Sequence, residues 1–544
     1  MTRPRPDVTV VVAVYNTMPY LTECLNSLVG QSIGTDRLEI VAVDDGSTDD
    51  SGAELDRFAE RYPGVVKVIH QANSGGPAAP SNRALEVATG RYVYFIGSDD
   101  YLGSEALKRM VTCADTHGSD VVVGKMVGTN GRYVHQALFK KSDPDISLYD
   151  SALPFTLANT KLFRRDLVEE HKLRFPEDLP VGSDQPFTIE ACVRAKKISV
   201  LADYTFYYAV KRGDASNITY RANHLSRLRC TERIMEHAAG LIEAGPQRDA
   251  VFKRHFTWEL AKLIQDDFPS LDPATRTEVC AGIARLADAY FTDALRDSMD
   301  VKRRVRIALA QRGAVDELVR AIEDEAAHGA PPFLLEDGRA YLRYPGFRDP
   351  ALGLPDRLFE VIGESVPKQL ADGTGLVSAS WEQHGQDMAV SLAVRVPVTG
   401  ETESASVRLA GKAMPKSADK PGGRRVPVGT ELPALAGELR REPSADGEGT
   451  VLLAHIPVQP TRAKLGVRAY LDVAGSTYEI PVQTQGVPLP LARRWREIVP
   501  YRISATANAK GRLVITTAPL WEPSPGAGKR LRRILSRVKR KLTR

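Results

Sequence analysis

Three short apolar runs, each ending abruptly in polar groups, organise the first hundred residues. Val8 to Tyr15 reads VTVVVAVY, Ile40 to Asp50 reads IVAVDDGSTDD, and Tyr92 to Leu102 reads YVYFIGSDDYL. Runs of this length, rich in β-branched and aromatic residues and closed by turn chemistry, predict buried parallel strands. Helical patterns fill the gaps, for example Tyr20 to Leu28 and Ala53 to Tyr62. The alternation predicts an α/β domain, with a mostly parallel sheet and helices on both faces. Ligands of such sheets bind beyond the carboxyl ends of the strands. Those ends carry Asp44, Asp45, Asp99 and Asp100, and carboxylates gathered there suit a ribose, a base edge or a hard metal ion.

The pattern changes twice further on. From Arg221 strand signals vanish, and amphipathic stretches such as Arg227 to Ala244 and Arg276 to Phe291 follow one another. After Pro331 and Pro332, short alternating runs return, among them Met388 to Val396, Val451 to Ile456 and Leu465 to Val473, separated by Gly, Pro and Asp. That texture predicts an antiparallel β-sandwich. Four regions are expected: residues 1–220 as an α/β catalytic domain, 221–330 as a helical linker domain, 331–518 as an immunoglobulin-like β-sandwich region, and 519–544 as a linker with a basic tail.

Length and charge refine this. A chain of 544 residues exceeds one core. The formal charge is +5, yet Lys529 to Arg544 holds nine Lys or Arg and no acid, leaving 64 basic against 68 acidic residues, a net of −4, elsewhere. Leu531, Ile534, Leu535, Val538 and Leu542 fall on one helical stripe within that tail. A basic amphipathic segment is expected to lie on an anionic membrane surface; an anionic polymer and plain solvation are the alternatives. The tail has no aromatic residue for stacking on bases, so no nucleic-acid partner is expected. The five cysteines form no CxxC pair, which predicts reduced thiols rather than a disulfide framework or zinc site. No apolar stretch approaches the ~20 residues of a membrane span, and the N-terminal apolar run continues into a strand-end motif instead of a cleavage site. The expected location is cytoplasmic, peripheral at the inner membrane face.

The first strand is followed by YNTMPY, not a glycine-rich phosphate loop, which argues against a dinucleotide-binding dehydrogenase. Instead the order VVAVYN, VDDGSTD, NSGGP with a following SN, and SDD resembles the inverting family-2 glycosyltransferases of GT-A type, over roughly Asp7 to Tyr220. The helical and β regions are similar, more loosely, to poly(ribitol-phosphate) N-acetylglucosaminyltransferases of wall teichoic acid. The resemblance implies a metal-dependent enzyme that moves a sugar from a nucleotide-diphosphate donor, UDP-N-acetylglucosamine for example, to a hydroxyl of a cell-wall glycopolymer or lipid-linked acceptor. It also implies a homo-oligomer, a trimer by analogy. The competing expectation is a degenerate transferase serving as a polymer-binding scaffold, which Gly97, Ser81 and Ser183 favour and retention of Asp99, Asp100 and Asp184 opposes.

An inverting transfer needs a grip on the nucleotide, charge neutralisation for the departing diphosphate, and a base for the acceptor hydroxyl. The resemblance assigns the nucleotide sugar to Asp44 on the base, Tyr15 stacking near it, Asn73 in the glycine-rich loop, Arg83 near the family's Arg-Asn position, and Asp99 on the ribose. Lys211, Arg212 and Asn217 are the candidates for closing over the diphosphate. Asp100 is expected to reach a cation, Mn²⁺ or Mg²⁺, that takes carboxylate and diphosphate oxygens together; many relatives read D-x-D where this chain has Gly97. The acidic pair that usually carries the base reads Ser183-Asp184, so Asp184 is the expected base, with Glu177 and Asp178 competing. A helix is predicted near Pro186, placing Asp184 close to its positive end.

Overall fold

In the computed structural model, residues 5–213, 223–362, 366–384, 387–414, 431–459, 461–496 and 499–520 are described. The chain divides into two compact units, Met1–Met299 with Leu309–Val315, and Asp300–Ala308 with Asp316–Arg544.

In the first unit, the strands are β1 (Val8–Val14), β2 (Leu38–Asp44), β3 (Val66–His70), β4 (Tyr92–Gly97), β5 (Tyr101–Leu102), β6 (Val121–Gly124), β7 (Met126–Thr129), β8 (Asp143–Ile146), β9 (Leu162–Arg164), β10 (Ile198–Leu201) and β11 (Tyr207–Val210). Eight of them form one sheet in the order β3-β2-β1-β4-β9-β6-β10-β8. Pairing from β3 through β4 is parallel. Val10, Val12, Ile40, Tyr92 and Tyr94 are buried against helices on one face, and Val11, Val41, Val93 and Phe95 are buried on the other. Each fully buried side chain of this kind contributes roughly 1.5–3 kcal/mol, so an aspartate at Val10 would be expected to break the sheet.

Register aligns the strand ends. Val14 lies opposite Asp44, and Ala13 opposite Gly97. The chain lays β2 and β3 on one side of β1 and then crosses to place β4 on the other. A crevice opens at such a reversal, and the segments Asp44–Asp45 and Ser98–Asp100 leave the sheet there. A small second sheet, β5-β11-β7, lies beyond β4 in the chain. Helices α1 (Tyr20–Val29), α2 (Ser51–Arg61), α3 (Ala78–Val87), α4 (Ala106–His117), α5 (Arg165–Glu170) and α6 (Asp184–Arg194) supply the crossovers.

The helical region follows as predicted. α7 (His224–Leu241) and α9 (Pro273–Tyr290) are each capped by a side chain, Asn223 accepting from the Ser226 N–H and Asp272 from the Thr275 N–H. Between them α8 (Pro246–Arg254) ends in a wide π turn at His255–Leu260.

In the second unit the strands that matter are β14 (Gly375–His384), β15 (Asp387–Val396), β17 (Ser406–Ala413), β18 (Glu431–Leu435), β19 (Glu438–Pro443), β20 (Thr450–Val458), β21 (Ala463–Val473), β22 (Ser476–Pro481), β23 (Leu491–Arg496), β24 (Val499–Ala507) and β25 (Leu513–Pro519), after β12 (Phe333–Glu336), β13 (Arg339–Leu342) and ahead of β17 the short β16 (Val398–Gly400). They make a four-stranded sheet, β14-β15-β20-β19, and a larger one, β18-β17-β21-β25-β24-β23, with β22 paired to β21. Both are antiparallel. β20 alternates buried with half-buried positions throughout its length, the period expected of a sandwich strand. The basic tail from Leu531 to Leu542 lies outside the described residues. Among the described residues, no helix is long and apolar enough to cross a membrane.

Candidate active site

The strand-end carboxylates occupy different environments. Asp44 ends β2; its Oδ1 accepts the Ser47 N–H at 3.0 Å and its Oδ2 lies 2.9 Å from His70 Nδ1. Burial opposes its charge, but the hydrogen bonds from Ser47 and His70 prevail and hold the carboxyl below the usual aspartate range. Asp45 is buried and serves the neighbouring loop. It accepts from Gln71 Nε2 at 2.7 Å, from the Ser74 N–H at 3.1 Å and from Ser74 Oγ at 2.9 Å. Asn73 completes that junction, donating to the Asp45 carbonyl at 3.0 Å and accepting the Gly75 N–H at 3.0 Å. Gly46 makes the approach possible: its φ is 73°, and a Cβ there would stand 2.8 Å from the Asn73 nitrogen.

Tyr15 follows β1 and is 44% exposed, free to meet a planar ring. The adjoining Asn16, at φ 47°, accepts the Thr48 N–H at 2.7 Å, which ties the turn after β1 to the turn after β2.

Asp100 is buried and engaged on both oxygens. Tyr207 donates its hydroxyl to Oδ2 at 2.5 Å, the Val210 N–H donates to Oδ1 at 2.6 Å, and Arg132 lies 3.4 Å from Oδ1. Burial, helped by the charge of Asp99, pushes its pKa up to about 6 against the pull of Arg132, Tyr207 and Val210. Asp99 is only half-buried and meets the Arg212 Nε at 2.8 Å. Arg212 also lies over the Tyr20 ring, 5.8 Å from its centre. Gly97 explains the shortened acidic motif. A Cβ there would lie 3.0 Å from Asp100 Oδ2 and 3.1 Å from Asp99 Oδ1, and the Gly97 N–H itself donates to Tyr207 Oη at 3.1 Å.

Asp184 is the first residue of α6, so it sits where the helix dipole favours negative charge. The helix begins at Asp184 and accommodates Pro186 within its first turn. Aromatic packing fixes that turn: Phe187 stacks on Phe175 with centroids 4.4 Å apart and meets Phe95 edge-on at 5.4 Å. Burial raises the Asp184 pKa, opposed by the positive charges of Arg254 and Lys161. Lys161 is wholly buried; its ammonium donates to the Thr156 carbonyl at 2.6 Å and to the Ala158 carbonyl, and burial lowers its pKa to about 8. Arg254, from α8, donates to Gln185 Oε1 at 2.8 Å and to Glu259 Oε1 at 2.8 Å. The rival carboxylates are held elsewhere. Glu177 Oε1 accepts from Asn82 at 2.9 Å, and Asp178 faces Arg233 at 3.5 Å on an exposed surface.

Of the other candidates, Arg83 lies on the exposed side of α3 and pairs with Glu86. Its neighbour Asn82 does the bridging, clasping the Phe175 backbone through both its donor, at 2.9 Å, and its acceptor, at 2.8 Å. Lys211 is exposed beside Arg212. Asn217 lies outside the described residues. Sequence reasoning passed over Asp45 as a loop anchor, Arg132 and Tyr207 on Asp100, and Lys161, Arg254 and Glu259 around Asp184. Of these, Asp45 stood inside the VDDGSTD motif. The others lie on separate elements, and no local spacing pointed to them.

Among the described residues, no three His, Cys, Asp or Glu side chains form a group able to hold a metal ion by themselves. A Mg²⁺ or Mn²⁺ ion that shares substrate phosphates needs only one or two carboxylates. The end of β4 brings two carboxylates together, Asp99 half-buried and Asp100 buried.

Known proteins resemble this chain in its α/β and helical regions. Residues 9–172 match the glycosyl transferase family 2 model, and residues 229–322 match the glycosyl transferase TarS linker domain. A poly(ribitol-phosphate) beta-glucosyltransferase of Bacillus spizizenii is 44% identical over 214 residues, 39% of this chain and 34% of that protein. The poly(ribitol-phosphate) beta-N-acetylglucosaminyltransferase TarS of Staphylococcus aureus is 42% identical over 203 residues, 37% of this chain and 35% of that protein. The matched segment thus spans about a third of these relatives' length. A crystal structure of S. aureus TarS 1–349 in complex with UDP-GlcNAc superposes with a TM-score of 0.56 at 30% identity, covering 65% of this chain and 99% of that one. A crystal structure of S. aureus TarS covers 94% of this chain and 85% of its own, with a TM-score of 0.58 at 23% identity, a likeness of fold. With its catalytic-type α/β domain and TarS-type linker, the chain belongs to glycosyl transferase family 2.

Proposed function

We propose that this protein transfers a sugar, with inversion, from a UDP-sugar to a hydroxyl of a phosphodiester cell-wall polymer of the poly(ribitol phosphate) type. One observation carries the reading: Asp184, its pKa raised by burial, begins a helix in the same unit as the strand-end carboxylates Asp44 and Asp99. Asp44 and Tyr15 would hold the uracil, Asn73 the loop beside it, and Arg212 and Lys211 the diphosphate. Asp184, once ionised, would take the acceptor proton as the hydroxyl attacks the anomeric carbon, and its raised pKa brings its basicity closer to working pH. Mn²⁺ or Mg²⁺, held at Asp100 with Asp99 beside it, would neutralise the leaving diphosphate.

The names of the relatives support the acceptor class, and the UDP-GlcNAc complex of TarS supports the donor. The deciding experiment is nucleotide release from UDP-, GDP-, CDP- and dTDP-sugars, with and without Mn²⁺ and with and without wall polymer. Polymer-stimulated release from UDP-sugars alone is expected. Absence of release from every donor would overturn catalysis and leave the scaffold reading.

The same reading places the enzyme at an anionic membrane face through Lys529 to Arg544. The nine cations and apolar stripe of that segment support it. Full-length protein should sediment with vesicles containing anionic lipid, and a version ending at Gly528 should not. Equal sedimentation of the two would remove the tail as the anchor.

A further inference from the structure

The outward face of the larger antiparallel sheet repeatedly sets like charges directly opposite one another. Val407, Leu409, Leu465, Val467 and Ala469 are buried, so the alternate residues of β17 and β21 face outward. On that face Arg408 is the register partner of Arg468, and Lys412 of Lys464. At the far side of the same sheet Arg493 of β23 is the partner of Arg502 of β24. Register links the rows: Lys464 lies opposite Thr516, which lies opposite Ser504, two residues from Arg502.

Like charges in directly opposed positions destabilise a sheet, and three such pairs on one face have no folding rationale. Two of the six cations have acidic neighbours, Lys412 with Glu431 at 3.9 Å and Arg468 with Glu479. Arg408 lies over the Tyr470 ring at 4.9 Å. Among the described residues, no carboxylate pairs with Arg408, Lys464, Arg493 or Arg502. All four are exposed.

We propose that this face is a binding track for a phosphodiester polymer, running diagonally from Arg408 and Arg468 through Lys412 and Lys464 to Arg502 and Arg493. The dimensions favour a chain over a single anion. Strand rise and spacing put the first pair about 13 Å from the second, and the second about 16 Å from the third, with Lys464 about 12 Å from Arg502. One phosphate cannot reach all three pairs, whereas a polymer with regularly spaced phosphates can. A second copy of this chain related by a two-fold axis is the wrong occupant, because the face would meet its own charge. A membrane is disfavoured because the track has no apolar stripe to insert. The proposal rests on the acceptor class given above and adds to it a site far along the chain from the carboxylates.

The test uses the full chain and a synthetic ribitol-phosphate octamer, with inorganic phosphate and phosphatidylglycerol vesicles as controls. The variant R408Q/K464Q/R493Q/R502Q should bind the octamer at least tenfold more weakly than the parent. The parent's affinity should fall steeply with salt, since exposed charges are screened within about 8 Å at physiological ionic strength. UDP affinity should not change. In the parent protein the octamer should also protect Lys412 and Lys464 from acetylation, a readout that does not depend on the variant folding. Unaltered octamer affinity in a folded variant, or no protection of the two lysines, overturns the track. So does a loss seen equally with inorganic phosphate, or one confined to vesicles. Transfer to polymer with an unaltered variant would sink the track alone. Octamer binding and protection without transfer from any donor would sink the catalytic reading and leave the track standing.

Discussion

Tyr207 donates its hydroxyl to Asp100 Oδ2 at 2.5 Å and at the same oxygen accepts the Gly97 N–H at 3.1 Å. A side chain on β11 thereby holds both ends of the Gly97–Asp100 turn at the end of β4. Tyr207→Phe deletes that link and leaves a buried carboxylate oxygen short of a donor. The expected cost is about 1–3 kcal/mol of stability and weaker UDP binding. Urea unfolding and calorimetry read the two effects; unchanged values in both would mean that the turn holds itself.

Asp184→Asn should lower transfer by about 10²–10⁴-fold while UDP binding persists. Single-turnover kinetics at saturating donor would show it. Near-normal turnover would pass the role of base to Glu177, whose Oε1 is held by Asn82, or to Asp178.

The pH profile should carry the same signature. A base works ionised, and burial raises the Asp184 pKa. Activity should therefore be lost on acidification at a pH above the ordinary aspartate value of about 3.9. Raising the pH through that point should restore it. An acid limb at or below the ordinary value would show that Asp184 ionises as if in water.

For the cation, Asp99→Asn and Asp100→Asn should part company. Asp100→Asn should abolish the gain in UDP affinity that Mn²⁺ confers and also destabilise the fold, because its oxygens accept from Tyr207 and Val210. Asp99→Asn should keep that gain and change stability little. Calorimetry with UDP, with and without Mn²⁺, beside thermal unfolding, decides the matter. A metal increment that survives in Asp100→Asn would move the cation to another carboxylate.

Gly46→Ala should lower UDP affinity by displacing the Asn73 loop. Its φ of 73° is strained for alanine, and the added Cβ would press within 2.8 Å of the Asn73 nitrogen. A destabilisation of about 1–3 kcal/mol is expected. Wild-type stability would show that the loop yields freely.

Local pattern alone carried much of this protein. The apolar runs at Val8–Tyr15 and Tyr92–Leu102, each closed by polar residues, announce buried strands because a buried strand must end where its chain meets water. That is enough to place Asp44, Asp99 and Asp100 at one edge of a sheet, and the change from helical to alternating periodicity after Pro332 announces the antiparallel region. What sequence could not determine is which side chains meet there. Tyr207 is 107 residues from Asp100, and Arg254 is 69 from Gln185. The opposition of Arg408 to Arg468 and of Arg493 to Arg502 is a matter of strand register. Element identity follows from the spacing of neighbours along the chain. Partner identity follows from how separate elements pack and slide into register, and only the folded chain fixes that.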